Sequence, residues 1–248
     1  MSRVRLGCVK YLNAQPLIYG WPGEVLFDHP AALCQKLAAG ELDVALVSSF
    51  EFLRQPTYTI IDDIAVAADG PLESVFLAHR GPVEQVREIA LDPASQTSVN
   101  LLRCLLAERQ LHVRFVPEGG EAQLLIGDQA IRFRHENGSS WQYWDLAEQW
   151  KRDTSLPFVF ALWLVRPEVP NPGAIAEQLR ALRDLNLQRL DEVIAAHPEF
   201  QPAFCSRYFR ERLRFHFGER EKQGLRAFRA SCEKHGILPP HHEPLRLV

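Results

Sequence analysis

The sequence predicts an α/β protein of two lobes, and three observations carry that prediction. Strand-like apolar runs alternate with helix signals through the first two-thirds of the 248 residues, the pattern of strands layered with helices. One run, Leu42-Asp43-Val44-Ala45-Leu46-Val47, is almost continuously apolar, as a parallel strand covered on both faces is. After Pro167 the alternation stops and helical segments follow. Two α/β cycles closed by helices make two lobes, and the cleft between lobes is a usual place for a small ligand.

Val4, Leu6 and Cys8 alternate as a strand that breaks at Tyr11-Leu12-Asn13 into a helix. Asn13 stands where an N-cap would, beyond the carboxyl end of a strand, where open α/β sheets bind ligands and free helix N–H groups attract anions. Residues 24–27 read as a short strand and 30–39 as a helix closed by Gly40. The apolar run at 42–47 ends in Ser48-Ser49-Phe50-Glu51, in which Ser48 and Glu51 have capping-box spacing. Residues 58–61, 64–67 and 74–79 read as extended. The second cycle has a strand at 89–91, the turn Asp92-Pro93-Ala94-Ser95-Gln96-Thr97-Ser98 and a helix over 99–108. Strands at 113–116 and 123–126 come next, then a Trp-rich helix over 144–151 and a last strand over 158–165. Helices are predicted over 174–185, 190–196, 202–215 and 219–234, and Pro239, Pro240 and Pro244 make the tail irregular. With the strands near 74–80 and 158–165 as the two crossings, lobe 1 comprises 1–78 and 166–248 and lobe 2 comprises 79–165.

Composition excludes more than it selects. Hydrophobic residues are 46% and charged residues 24%, as in soluble globular proteins. A formal charge of −3 offers no general attraction for nucleic acid. Arg207, Arg210, Arg212 and Arg214 are interleaved with Glu211 and aromatics and read as a solvated helix face. The first ten residues lack a signal-peptide pattern, and no apolar run approaches the roughly 18 to 20 residues of a membrane span. A cytoplasmic protein with no membrane partner is the expectation. Five widely spaced cysteines without a Cys-x-x-Cys pair suggest neither a disulfide framework nor zinc. Gly-x-Gly-x-x-Gly, Walker and Gly-x-Ser-x-Gly motifs do not occur, so no nucleotide cofactor is expected. The adjacent His241-His242 reads as solvent-exposed rather than metal-binding. Asp62-Asp63 and Asp69-Gly70 read as turns, and the aromatics Trp141, Tyr143, Trp144, Trp150 and Trp163 mainly as core.

Three segments share one design, an apolar strand, a short polar turn and a helix start: Tyr11-Leu12-Asn13, Ser48-Ser49 and Ser95-Gln96-Thr97-Ser98. Each alone is also explained as a helix cap. Facing one cleft, together they would line it with neutral donors and backbone N–H groups, which suit a carboxylate.

Taken in order, seven segments over residues 9–161 resemble one family. They are Val9-Lys10-Tyr11-Leu12-Asn13 with Pro16-Leu17, the stretch 42–49, and Ala68-Asp69-Gly70 with Ser74-Val75. Thr97-Ser98-Val99-Asn100-Leu101-Leu102, the stretch 124–130, Trp144-Asp145-Leu146 with Trp150, and Leu156-Pro157-Phe158-Val159-Phe160-Ala161 complete the set. This succession resembles the chorismate dehydratases of the futalosine route to menaquinone. The resemblance implies a type II periplasmic-binding-protein-like fold used as an enzyme. It also implies loss of water from chorismate, giving 3-[(1-carboxyvinyl)oxy]benzoate without metal or organic cofactor. By motif match Asn13 takes the family's active-site asparagine, and Tyr11, Ser48, Ser49, Ser74, Thr97 and Ser98 take positions at the substrate cleft. Two residues depart from the family: Lys10 replaces a small polar residue, and Ser155 stands where glycine precedes Leu-Pro-Phe-Val-Phe-Ala. Asn and Ser are poor bases at neutral pH. The expectation is therefore that the substrate's own enolpyruvyl carboxylate takes the ring proton while the protein fixes its conformation. Two other readings stay open, a solute-binding protein for a small carboxylate and the sister enzyme acting on a cyclic futalosine derivative. Tyr11-Leu12-Asn13 favours the dehydratase over the sister enzyme.

Overall fold

Strand pairing sorts the chain into two sheets. The computed structural model describes residues 4–91, 95–241 and 244–248; Asp92, Pro93 and Ala94 of the predicted turn and His242 of the His-His pair lie outside the described residues. The first sheet contains β1 (Leu6–Val9), β2 (Val25–Asp28), β3 (Val44–Ser48), β4 (Thr59–Ala68), β10 (Phe158–Val165) and β11 (Leu213–Arg214), in the order β11-β4-β10-β3-β1-β2. The second contains β5 (Val75–His79), β6 (Glu88–Ala90), β7 (Arg114–Val116), β8 (Ala122–Ile126) and β9 (Gln142–Asp145), in the order β7-β6-β8-β5-β9. Helices α1 (Pro30–Ala38), α2 (Ser49–Arg54), α3 (Gln96–Glu108), α4 (Gly127–Asn137) and α5 (Leu146–Thr154) connect strands. The helices α6 (Pro172–Gln188), α7 (Leu190–Ala195), α8 (Pro202–Arg207) and α9 (Glu219–Lys234) follow.

Burial explains the sheet order. Every residue of β3 is buried, as the near-continuous apolar run predicts, because β3 lies between β1 and β10 and is covered on both faces. The strand β10 is equally apolar, and it lies antiparallel between β3 and β4. The sequence pattern makes residues 158–165 a crossing at the end of lobe 2; their hydrogen bonds put them wholly in the first sheet. Residues 75–79 likewise pair only within the second sheet, with β8 and β9. The chain therefore crosses between sheets at the short segments 69–74 and 155–157.

Four further expectations change. Residues 58–61 and 64–67 are one strand, β4, with Asp63 at φ 59 and a break in register against β10. The predicted helix over 202–215 ends at Arg207 and passes through a wide π-type turn, Tyr208–Arg212, into β11, which pairs with β4. The start of the helix predicted at Trp144 is strand β9, and α5 begins at Leu146 with the Asp145 carboxylate capping Ala147 and Glu148 N–H groups. Helix α4 has no counterpart in the sequence pattern; its composition is mostly polar, so its narrow buried side, Ala130 and Ile131, makes a weak periodic signal.

Three arginines of the basic run near the carboxyl end of α8 are paired, Arg207 and Arg212 with Glu73 and Arg210 with Asp191. Trp150 and Trp163 are buried in the core, while Trp141, Tyr143 and Trp144 are half-buried under Arg80, Arg134 and Arg109. All five cysteines are free and buried.

Candidate active site

The two crossings join the ends of strands rather than the edges of the sheets: the first runs from β4 to β5 and the second leads into β10. The carboxyl ends of β1 and β3 lie side by side, because these strands are parallel neighbours, and β10 brings its opening residues to the same edge. From the second sheet, the ends of β8 and β9 flank the start of β5, with Ile126 opposite Val75 and Asp145 opposite Phe76. The loops and helix starts leaving these ends are therefore brought together by sheet order.

After β1 the chain makes a 3-10 turn, Leu12–Leu17, whose cap position is Tyr11. Asn13 is inside this turn and caps nothing, contrary to the sequence expectation; its Oδ1 is buried and has no hydrogen-bond partner. A buried polar atom left unpaired costs free energy unless a ligand or water meets it. Two contacts from the second lobe hold the turn. Leu12 N–H donates to Asp128 Oδ1 at 2.8 Å. The Tyr11 ring lies directly over Gly127, where an added Cβ would be 2.9 Å from Tyr11 Cγ. Gly127 sits at φ 59, in the left-handed region that favours glycine. Lys10 is exposed.

Ser48 and Ser49 meet the start of α3. Ser48 Oγ is hydrogen-bonded to Thr97 Oγ1 and accepts from Thr97 N–H at 3.0 Å. Thr97 Oγ1 in turn accepts from Phe50 N–H at 3.0 Å. Ser49 Oγ donates to Val159 O at 2.7 Å and lies 3.3 Å from Thr97 Oγ1. The expected capping box of Ser48 and Glu51 is absent, because Ser48 is turned to Thr97 and Glu51 accepts from Arg54. Ser98 is engaged with Ser95, which caps α3. Ser74 lies in the first crossing, with its Oγ 2.6 Å from Tyr208 Oη and its carbonyl accepting from Gly127 N–H at 2.8 Å. Ser48, Ser49, Ser74, Thr97 and Ser98 are all buried. The structure thus joins Tyr11, Leu12 and Ser74 through Gly127 and Asp128, with Asn13 next in the same turn, and joins Ser48, Ser49 and Thr97 directly.

Two carboxylates border these contacts. Asp145 is buried and accepts the N–H groups of Leu72 at 2.9 Å and Glu73 at 2.7 Å, besides capping α5. Burial pushes its carboxyl above the ordinary value, against the pull of those N–H groups. Burial also raises Asp128, opposed by the Leu12 N–H and by Arg132. Tyr208, fully enclosed, has its phenol raised by burial. Sequence reading assigned no role to Gly127, Asp128 or Tyr208, although Gly127-Asp128 closes a recognisable strand. A groove of about 510 Å³ runs between α4 and α8, past Glu73, Arg132, Phe200 and Arg207; none of the predicted site residues lines it. Among the described residues, no three of His, Cys, Asp and Glu gather so as to hold a metal ion, and no helix is long and apolar enough to cross a membrane.

Known proteins agree with this architecture. A chorismate dehydratase of Thermus thermophilus is 34% identical over 90% of this chain and 93% of its own length. A chorismate dehydratase of Campylobacter jejuni is 24% identical over 90% and 91%. A crystal structure from Archaeoglobus fulgidus superposes with TM-score 0.77 at 16% identity, covering 95% of this chain and 98% of that one. The alkanesulfonate-binding protein of Xanthomonas axonopodis superposes with TM-score 0.68 at 14% identity, covering 97% and 95%. Both structures share the fold, a periplasmic-binding-protein type. The family described as menaquinone biosynthesis matches residues 4–234, and the chain belongs to that family.

Proposed function

We propose that this protein removes water from chorismate to give 3-[(1-carboxyvinyl)oxy]benzoate, as an early step of the futalosine route to menaquinone, in the cytoplasm. The observation that carries the reading is the buried, unpartnered Oδ1 of Asn13, in the turn whose Leu12 N–H is held by Asp128 of the second lobe. An acceptor held there without a protein partner suits the ring hydroxyl of the substrate, whose O–H is a donor. The likeness to enzymes named chorismate dehydratase supports the choice of substrate.

In the reaction one ring C–H bond and the ring C–OH bond break, the ring becomes aromatic, and water leaves. The side chains predicted to touch substrate, Tyr11, Asn13, Ser48, Ser49, Ser74, Thr97 and Ser98, include no strong base at neutral pH. The substrate's enolpyruvyl carboxylate takes the ring proton in this reading, and the protein contributes orientation, a large effect when reacting atoms are held in contact. Asn13 orients the hydroxyl and Tyr11 packs on the ring. The Ser48–Thr97 hydrogen bonds join the two lobes, and in this reading the lobes part to admit substrate and close over it, excluding water.

The test is incubation with chorismate and no added cofactor, followed by chromatography and mass. Loss of one water to an aromatic enol ether, abolished by Asn13→Ala, is the expected result. Saturable binding of chorismate without turnover would replace the enzyme by a solute-binding protein. An Asn13→Ala protein with wild-type turnover would remove Asn13 from the chemistry.

A further inference from the structure

The turn that carries Asn13 is gripped from the other lobe at one polar point. Leu12, the residue before Asn13, gives its N–H to the carboxylate of Asp128 at 2.8 Å, across 116 residues of sequence. Asp128 stands in the first turn of α4, directly after Gly127, on which the Tyr11 ring rests. Gly127 is in turn hydrogen-bonded to the Ser74 carbonyl in the crossing. Tyr11-Leu12-Asn13 is thus seated on Gly127-Asp128 as one unit, and Asn13 Oδ1 is left free of protein partners within it.

We propose that Asp128 is a positioning residue of the dehydration: its carboxylate, closing on the Leu12 amide when the lobes meet, sets Asn13 in its reactive orientation. The proposal rests on the functional reading above. Asp128 does not touch substrate in this scheme; it acts through the peptide that precedes Asn13. A charge-assisted hydrogen bond to a backbone N–H is short and directional. Its partner is one peptide unit from Asn13, so loss of the bond frees the turn. Misplacement of a reacting group by about 1 Å costs on the order of 10²-fold in rate.

The environment of Asp128 makes the bond sensitive to pH. Arg132 on the same helix, His197 and Glu199 ahead of α8, Cys205 on α8, Tyr208 in the turn after it and the Leu12 amide are the groups around it. Burial outweighs Arg132 and His197 and raises the carboxyl above its ordinary value. The ionised form grips Leu12 best, so the grip weakens as pH falls through that raised value.

The experiment compares kcat and KM for chorismate, across pH, in wild type, Asp128→Ala and Asp128→Asn. Asp128→Ala is expected to lose about 10²-fold in kcat, with KM changed less than about threefold. Asp128→Asn keeps an acceptor oxygen without the charge; it is expected to recover at least about tenfold of that loss and to shift the acid limb of kcat to lower pH. The asparagine variant is close in shape to wild type, so it carries the test should the alanine variant not fold. Asp128→Ala with kcat within about twofold of wild type overturns the assignment, as does Asp128→Asn with the wild-type acid limb. Wild-type protein that leaves chorismate unchanged overturns the functional reading itself and the role of Asp128 with it.

Discussion

A single methyl group at Gly127 tests whether the lobes meet as described. In Gly127→Ala the new Cβ would stand 2.9, 3.0 and 3.1 Å from Tyr11 Cγ, Cδ1 and Cδ2, where ordinary contacts are 3.4 to 4 Å. The Tyr11 ring must therefore move by about 0.5 Å, and overpacking of this kind costs about 1 to 3 kcal/mol. A second cost comes from the backbone, since φ at Gly127 is 59° and the left-handed region costs an L-residue about 1 to 2 kcal/mol. Alanine stiffens the unfolded chain and returns about 0.4 to 1 kcal/mol. The net expectation is a loss of about 3 kcal/mol in urea unfolding followed by tryptophan fluorescence. Because Tyr11 carries Leu12 and Asn13 with it, kcat should also fall by at least about tenfold. Adding Tyr11→Ala removes the clash and leaves only the backbone cost, so the double variant should unfold with less loss than the two single losses summed. A Gly127→Ala protein within about 0.5 kcal/mol of wild type, with unchanged kcat, would refute the contact and the argument built on it.

Asn13→Ala should abolish turnover yet leave urea stability equal or slightly higher, because the Oδ1 it removes is buried without a partner; a loss above about 1 kcal/mol would mean that the amide holds the fold. Ser155 ends α5 at φ 60, so Ser155→Gly should stabilise by about 0.5 to 1 kcal/mol, and a lower midpoint would mean that the hydroxyl contributes instead. Asp43 is held below the ordinary carboxylate range chiefly by its hydrogen bond with Arg5. Its contribution to stability is therefore present above about pH 4 and is lost as pH falls through the depressed value. Asp43→Asn should flatten that part of the acid unfolding curve, and an unchanged curve would show the pair to be without effect.

Much of the fold was legible because burial on both faces leaves a mark on composition. β3 and β10 are apolar almost throughout, as strands covered on both faces are. The sheet to which β10 belongs was not legible, since an apolar strand pairs equally well with any neighbour until the crossings are placed. Helix α4 escaped because most of its residues are polar and only a narrow side is buried. The end of α8 escaped because the pattern of residues 202–215 continues like a helix, while the backbone widens at Tyr208–Arg212 to bring β11 against β4.

The site divides in the same way. The sequence by itself determined which segments would form strand-turn-helix junctions and that Asn13, Ser48, Ser49, Thr97 and Ser98 would sit on them, because turn chemistry is local. Tertiary structure alone decided what those side chains touch. Ser48 turns from its own helix to Thr97, 49 residues away, and Leu12 turns to Asp128, 116 residues away. Asn13, suited to capping, is left with a bare oxygen. A hydrogen bond forms with whatever donor or acceptor comes within about 3 Å, and at a junction between lobes that distance is set by sheet order and crossing geometry, which no local pattern of residues encodes.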